Sequence, residues 1–215
     1  MYHYVREVNR KADPLGWNLS INPADFERQM IWLKEKGYVS IHLKDLIDGK
    51  VPKKAVVLTF DDGLEDFYTT ALPILQKYGF TASSSIITGM IGSREHMTEE
   101  EIRACVGDGI EITSHTVLHV DLAAASEADI RKQVTESRDF LATKFGVDVV
   151  GFVYPSGKYS SAAVRILGEE GYKIGVTTEY GKADLVNDKM LLLPRVRIDN
   201  RDGFERFVKK MEDLE

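Results

Sequence analysis

"VVLTFDDGLED", residues 56–66, runs from apolar, strand-like residues straight into two adjacent carboxylates, Asp61 and Asp62, and then Gly63. Neighbouring carboxylates oppose each other's ionisation unless a cation or hydrogen-bond donors take them up separately, so the pair is costly to place against a core. A solvated turn closed by glycine would account for an isolated Asp-Asp-Gly, since both residue types are ordinary in turns. The rest of the chain decides between these readings.

Outward from this stretch, apolar runs alternate with helical signals from one end to the other, the pattern of parallel strands joined by helices. The runs are "YHYV", "AVVLTF", "ASSSIIT", "IEITS", "VVGFVY", "KIGVTT" and "LLLPRVRI". Asn22 followed by Pro23 caps a helix carrying Phe26, Met30 and Leu33 at helical spacing. Thr98 with Glu101 makes a capping box, and Ser126 with Asp129 starts a helix that runs towards Gly146. The unusual residues gather where strands end. Asp61 and Asp62 follow "AVVLTF", His115 follows "IEITS", Pro155 and Gly157 follow "VVGFVY", and His3 lies in the first run. Reactive groups collect at strand C-termini both in parallel barrels and in open doubly wound sheets, so position alone leaves both architectures open.

A chain of 215 residues with 43% hydrophobic content can fill a sizeable core, and one domain is expected over residues 1–215, since nothing reads as linker, repeat or low-complexity tract. A net charge of −6 without a basic cluster argues against nucleic acid or an anionic membrane surface as partner. No stretch approaches the roughly 18 apolar residues of a membrane span. The opening "MYHYVREVNR" lacks the apolar centre of a signal peptide, and its strand-like start reads as a trimmed beginning of a soluble chain. Cys105 stands alone and can form no internal disulfide.

"ITSHTVLHVDL", residues 112–122, carries His115 and His119. If the strand gives way to a helical turn at Ser114, both imidazoles fall on one side, within reach of one ion. Two imidazoles and one carboxylate are a catalytic zinc set with a coordination position left for water. The remaining Asp is then available as the base that takes a proton from that water.

In this order and at these separations "TFDDG", "SHTVLH" and "FVYPSG" resemble the polysaccharide deacetylase family, also called the NodB homology domain or carbohydrate esterase family 4. The resemblance covers nearly the whole chain. It implies a NodB-like fold, a distorted α/β barrel of about seven parallel strands and helices. It also implies that Asp61 is the catalytic base and that Asp62, His115 and His119 hold a divalent transition metal, zinc foremost, with cobalt, nickel or iron as alternatives. The backbone N–H of Ser156 matches the place where the family's third motif supplies an oxyanion donor.

Two departures narrow the resemblance. Val153 stands where most members have arginine, and no histidine occurs after His119, where most carry a late catalytic one. "MYHYV" and "LLLPRVRI" are instead similar to the branch of poly-β-1,6-N-acetylglucosamine deacetylases of biofilm formation, in which the motif order is circularly permuted and the first strand supplies the histidine. That residue here is His3, the implied general acid, and Arg195 is the candidate to orient Asp61 in place of the missing arginine. Tyr154 and Pro155 are expected to line the pocket. Trp17, in "ADPLGWNLS", is expected on a loop where its ring could stack on a sugar. His42 and His96 lack motif context and read as solvent-facing or capping residues.

The implied activity is metal-dependent removal of acetyl groups from N-acetylglucosamine units of a polysaccharide, in the extracellular space or cell envelope. Peptidoglycan and chitin oligomers are the alternative substrates. From other classes come a carbohydrate-binding protein that keeps the metal but lacks turnover, and a magnesium phosphotransfer domain. The histidine pair disfavours the last, because imidazole suits zinc-like ions better than magnesium.

Overall fold

Capping and apolar spacing set the helices, and the apolar runs become short strands that meet almost entirely in parallel. The computed structural model describes residues 1–49 and 51–213. β1 (Tyr4–Val5) pairs in parallel with β2 (Ser20–Ile21) across the short helix α1 (Pro14–Leu19). Helix α2 (Pro23–Glu35) starts at Asn22, whose side chain accepts from the Ala24 N–H, and leads to β3 (Val39–Ile41), which pairs with β4 (Ala55–Val57).

The main sheet follows in chain order. It contains β5 (Thr59–Phe60), β6 (Ser83–Ile86), β7 (Glu111–Ser114), β8 (Gly151–Val153), β9 (Ile174–Tyr180) and β10 (Leu193–Arg195), all parallel to their neighbours. Helices α3 (Leu72–Tyr78), α4 (Glu99–Gly107), α5 (Glu127–Phe145) and α6 (Ser161–Glu169) make the crossovers, and α7 (Gly203–Glu212) follows β10. The capping box of Thr98 and Glu101 opens α4, while Ser126 opens α5 and left-handed Gly146 closes it, as their sequence signals require.

The first residues of the chain lie between the two sheet edges and curl the sheet into a distorted barrel. On one side the Tyr2 N–H donates to Thr59 O (2.8 Å) and the Asp61 N–H to Tyr2 O (3.0 Å). On the other, the Ile198 N–H donates to Met1 O (3.0 Å) and the Met1 nitrogen to Val196 O (2.8 Å). The expected seventh strand is thus a seam of two residues. "AVVLTF", expected as one strand, breaks at Leu58: its first half pairs with β3 and its second with β6. Outside the seam Tyr2 stacks on Phe60 with ring centroids 5.2 Å apart, and Phe26 of α2 meets both rings edge-on.

Alternation along the strands fixes what points inward. Tyr2 and Phe60 face the helices, so His3 and Asp61 face the barrel interior at its C-terminal end. The opposite end is plugged by the buried Glu111, whose carboxylate accepts from the Leu43 N–H (2.7 Å), the Lys44 N–H (3.1 Å) and Ser83 Oγ. His42 belongs to that end, with Nε2 2.7 Å from Thr81 Oγ1 and 2.8 Å from Gly109 O. No helix among the described residues is long and apolar enough to cross a membrane.

Asp66 ties β1 to the body. Its Oδ2 accepts from the Val5 N–H (3.1 Å), while its buried Oδ1 has no partner among the described residues. Burial, with Glu95 and Glu65 adding repulsion, outweighs Arg6 and the Val5 N–H and pushes the carboxyl up to about 7. The unfolded chain therefore releases this proton at lower pH than the native protein, and Asp66 subtracts stability progressively from about pH 4 to pH 7. Asp66→Asn should match wild type near pH 4 and gain on the order of 2–4 kcal/mol by pH 8. Denaturant midpoints of both proteins across that range check this, and parallel pH profiles would refute it.

Candidate metal centre and catalytic site

The two carboxylates of the Asp pair part company because the backbone turns sharply between them. Asp61 continues β5, whereas Asp62 (φ 75°) and Gly63 (φ 72°) are both left-handed. At Gly63 a Cβ would lie 3.1 Å from Ile86 Cδ1, so glycine fits both the conformation and the space.

Asp61 points into the barrel and is 3% exposed. Arg195 of β10 grips it with both terminal nitrogens, Nη1 to Oδ1 at 2.7 Å and Nη2 to Oδ2 at 2.8 Å, and Ser85 Oγ donates to Oδ1 at 3.3 Å. The guanidinium is itself fixed by Nε to Thr177 O (2.8 Å) and Nη1 to Thr59 Oγ1 (3.0 Å). Burial alone would raise the Asp61 pKa. The Arg195 charge and its paired hydrogen bonds overcome it and hold the carboxyl well below the usual range.

Asp62 faces the histidines instead. Its Oδ1 lies 3.3 Å from His115 Nε2 and 3.7 Å from His119 Nε2, and one ligand atom from each of the three residues falls within 4.8 Å of the others. The His115 Nδ1 donates to Val153 O at 2.7 Å, so the neutral ring carries its proton there and turns a lone pair at Nε2 towards Asp62. Asp62 Oδ1 is buried and has no hydrogen-bond partner among the described residues. Two acceptors facing each other across a buried gap are what a divalent cation would reconcile, and imidazole with carboxylate suits a zinc-like ion. The three residues fit the metal implied for them.

The histidines are brought together by an irregular turn, not by the helical one expected. Thr116 (φ 66°) and His119 (φ 53°) are left-handed, and the two imidazoles meet edge to face with centroids 4.8 Å apart. Gln133 of α5 holds this turn: its Oε1 accepts from the Val117 N–H (3.0 Å) and the Leu118 N–H (2.9 Å). Gln133 carried no motif signal, because its role exists only once α5 packs behind the loop.

The other expected site residues divide. Half-buried His3 makes no hydrogen bond to another described residue, and its pKa is lowered by desolvation against the opposing pull of Asp61 and Asp62. Exposed Ser156 (φ 55°) sits in the turn after β8, closed by Gly157 N–H to Tyr154 O (2.8 Å) and Lys158 N–H to Pro155 O (3.0 Å), bonds that leave the Ser156 amide aside. Gly157 abuts Thr178 so closely that a Cβ would lie 2.0 Å from its Oγ1.

Tyr154 and Pro155 do not line an accessible pocket. Tyr154 is 0% exposed, with Phe152 and Tyr159 packed at 5.1 and 5.3 Å, and Pro155 is also buried. An aromatic side chain directly after a buried strand continued the core. Trp17 lies in α1 rather than on a loop, is covered by the Arg10 guanidinium 4.6 Å above its ring, and is absent from the depression beside Asp62. That depression, of about 320 Å³, is lined by Asp62, His119, Tyr4, Met90, His96 and Leu118, together with Leu64 and Ile87. His96, set aside on its sequence context, therefore lines this depression. No local pattern pointed to it, because it reaches the depression on a loop positioned by bonds to Gly63, Thr116 and Val117.

The sequence profile of the family described as polysaccharide deacetylase matches residues 48–175. The poly-beta-1,6-N-acetyl-D-glucosamine N-deacetylase of Staphylococcus aureus is 31% identical over 237 aligned residues, covering 98% of this chain and 81% of the relative. Among solved structures, the deacetylase PplD of Streptococcus pyogenes in complex with acetate has a TM-score of 0.90 at 33% identity, covering 98% of this chain and 96% of its own. BC0361, a polysaccharide deacetylase from Bacillus cereus, has a TM-score of 0.86 at 26% identity, covering 98% of this chain and 67% of its own. A profile match across more than half the chain, and 31% identity across nearly all of it, leave one assignment: the chain belongs to the polysaccharide deacetylase family and folds as its structural neighbours do.

Proposed function

We propose that this deacetylase hydrolyses the acetamide of N-acetylglucosamine units in a polysaccharide, poly-β-1,6-N-acetyl-D-glucosamine in the first instance, with a divalent cation held by Asp62, His115 and His119. The observation that carries the reading is the divergence of the Asp pair, one carboxylate clamped by Arg195 and the other turned towards two imidazole lone pairs. The Staphylococcus aureus relative supports the choice of polymer. If the substrate is a polymer of the biofilm matrix, the enzyme acts in the envelope or beyond.

When bound, the cation would polarise the acetamide carbonyl and acidify a water molecule. Asp61, kept ionised by Arg195, accepts a proton from the attacking water as the water oxygen adds to the carbonyl carbon. Arg195 keeps both Asp61 oxygens in place during the transfer and gives the base one orientation. The Ser156 amide N–H donates to the oxygen that becomes negative. An amine leaves only when protonated, so His3, facing the same interior from the first strand, donates to the nitrogen as the C–N bond breaks. Its lowered pKa makes the charged ring a stronger acid while reducing how much of it is present. The products are acetate and a free amine on the sugar.

Acetate release from β-1,6-linked, chitin and peptidoglycan oligomers, each with a panel of added divalent metals, tests the reading as a whole. His115→Ala and His119→Ala are expected to lose stoichiometric metal and acetate release together, and full metal occupancy in either variant would remove that residue from the ligand set. Asp61→Asn should load metal with little turnover, at a stability loss on the order of 3–5 kcal/mol because the buried Arg195 guanidinium loses its counter-charge; near-normal acetate release would move the base elsewhere. His3→Ala should keep metal and fold but lose on the order of 10²- to 10⁴-fold in rate on an N-acetylglucosamine oligomer. An aryl acetate expels a phenolate that needs little protonation, so its penalty should be far smaller. Equal losses on the two substrates would assign His3 to the fold or the metal instead.

A further inference from the structure

The loop 88–97 has no place in the chemistry above, yet the site's own turns hold it. Towards the Asp pair, the Met97 N–H donates to Gly63 O (2.9 Å), the Glu65 N–H to Glu95 O (2.9 Å), and Leu64 bridges His96. Towards the histidine turn, the Thr88 N–H donates to Thr116 O (3.2 Å) and the Gly89 N–H to Val117 O (2.9 Å). The first strand holds it as well, since Glu95 accepts from Tyr4 Oη (3.3 Å) and Arg6 Nη1 (3.2 Å). A surface loop fastened to three parts of an active site is fixed in position before any ligand arrives.

The His96 tautomer follows from its neighbours. Nδ1 lies 3.0 Å from Arg94 O and 3.2 Å from Ser93 Oγ. Ser93 spends its one proton on Met90 O at 2.6 Å, so both groups beside Nδ1 are acceptors and Nδ1 carries the hydrogen. The other nitrogen, Nε2, is then a bare acceptor with no partner among the described residues. His96 lies outside the set whose atoms converge with Asp62 Oδ1, although it lines the same depression. The same depression is lined by Leu118, 61% exposed, Met90, 36% exposed, and Tyr4, whose ring carries the Arg6 guanidinium 3.5 Å from its centre. An acceptor beside an apolar rim matches a pyranose ring, which offers hydroxyl donors at its edge and C–H groups on its face.

We propose that His96 is a substrate-binding residue, its Nε2 accepting a hydroxyl hydrogen of the sugar whose acetamide reaches Asp62 and the two histidines, with Leu118 and Met90 against the ring. This rests on the deacetylase reading above for the nature of the ligand. His96 supplies affinity and not chemistry, so its loss acts on KM and leaves kcat in place.

The test compares wild type, His96→Ala and His96→Gln, all metal-loaded, in acetate release from a β-1,6-linked N-acetylglucosamine oligomer, in hydrolysis of an aryl acetate, and in calorimetric binding of the deacetylated oligomer. His96→Ala should raise KM and weaken oligomer binding by about 3- to 10-fold, the worth of one neutral hydrogen bond. Its kcat, metal content and aryl acetate rate should be unchanged, and glutamine, which offers an acceptor oxygen, should recover part of the affinity. Unchanged KM and binding in His96→Ala would overturn the assignment while the deacetylase reading stood. Oligomer binding that depends on His96 without any acetate release would overturn the reading and keep the subsite. A wild type that neither binds nor deacetylates the oligomer would sink both.

Discussion

The pairing of Arg195 with Asp61 joins the two edges of the sheet. Asp61 follows β5 and Arg195 ends β10, so the guanidinium reaches across the seam that only the first residues of the chain otherwise fill. Both side chains are almost wholly buried, and a buried carboxylate is tolerable only while its charge is answered. Leaving such a charge without its partner costs on the order of 3–5 kcal/mol, comparable with a large part of a domain's net stability. The same guanidinium binds Thr177 O and Thr59 Oγ1, so β5, β9 and β10 share one fastening with the proposed base. Barrel closure and the ionisation of Asp61 are therefore one constraint, and an arginine at the end of the chain answers for a residue 134 positions earlier.

Much of this was legible in the residues because the site breaks the local pattern. Carboxylate and imidazole side chains at the ends of apolar runs stand out, as Asp61, Asp62 and His115 did, and helices announce themselves through Asn22, Thr98 and Ser126. The illegible parts lack a local cause. β2 and β3 are two and three residues long, below any periodicity, and the break at Leu58 depends on which partner each half of the run finds. Left-handed Thr116 and His119 could not be foreseen, since neither is glycine and Gln133 stabilises their turn from a separate helix. Tyr154 and Trp17 were singled out by residue type. Burial took the first into the core, and Arg10 covered the ring of the second.

Placement in this site is done by main chain as much as by side chain. The left-handed pair Asp62 and Gly63 sends adjacent carboxylates in different directions, and carbonyls at Val153 and Arg94 fix which nitrogen of His115 and His96 carries hydrogen. These two imidazoles arrive with tautomer and orientation already chosen.

The bonds from loop 88–97 to Gly63, Thr116 and Val117 bear on how substrate range can change within such a scaffold. Binding loops on parallel barrels are commonly regarded as exchangeable modules, grafted without disturbing the centre beneath them. Here a graft would have to reproduce the donors at residues 88, 89 and 97 and the acceptor at 95, or loosen the very turns that carry the Asp pair and the histidines. The side chains at 90 and 96 face the depression without making those bonds, so point substitution there can alter what the depression offers a ligand while the backbone fastening is kept.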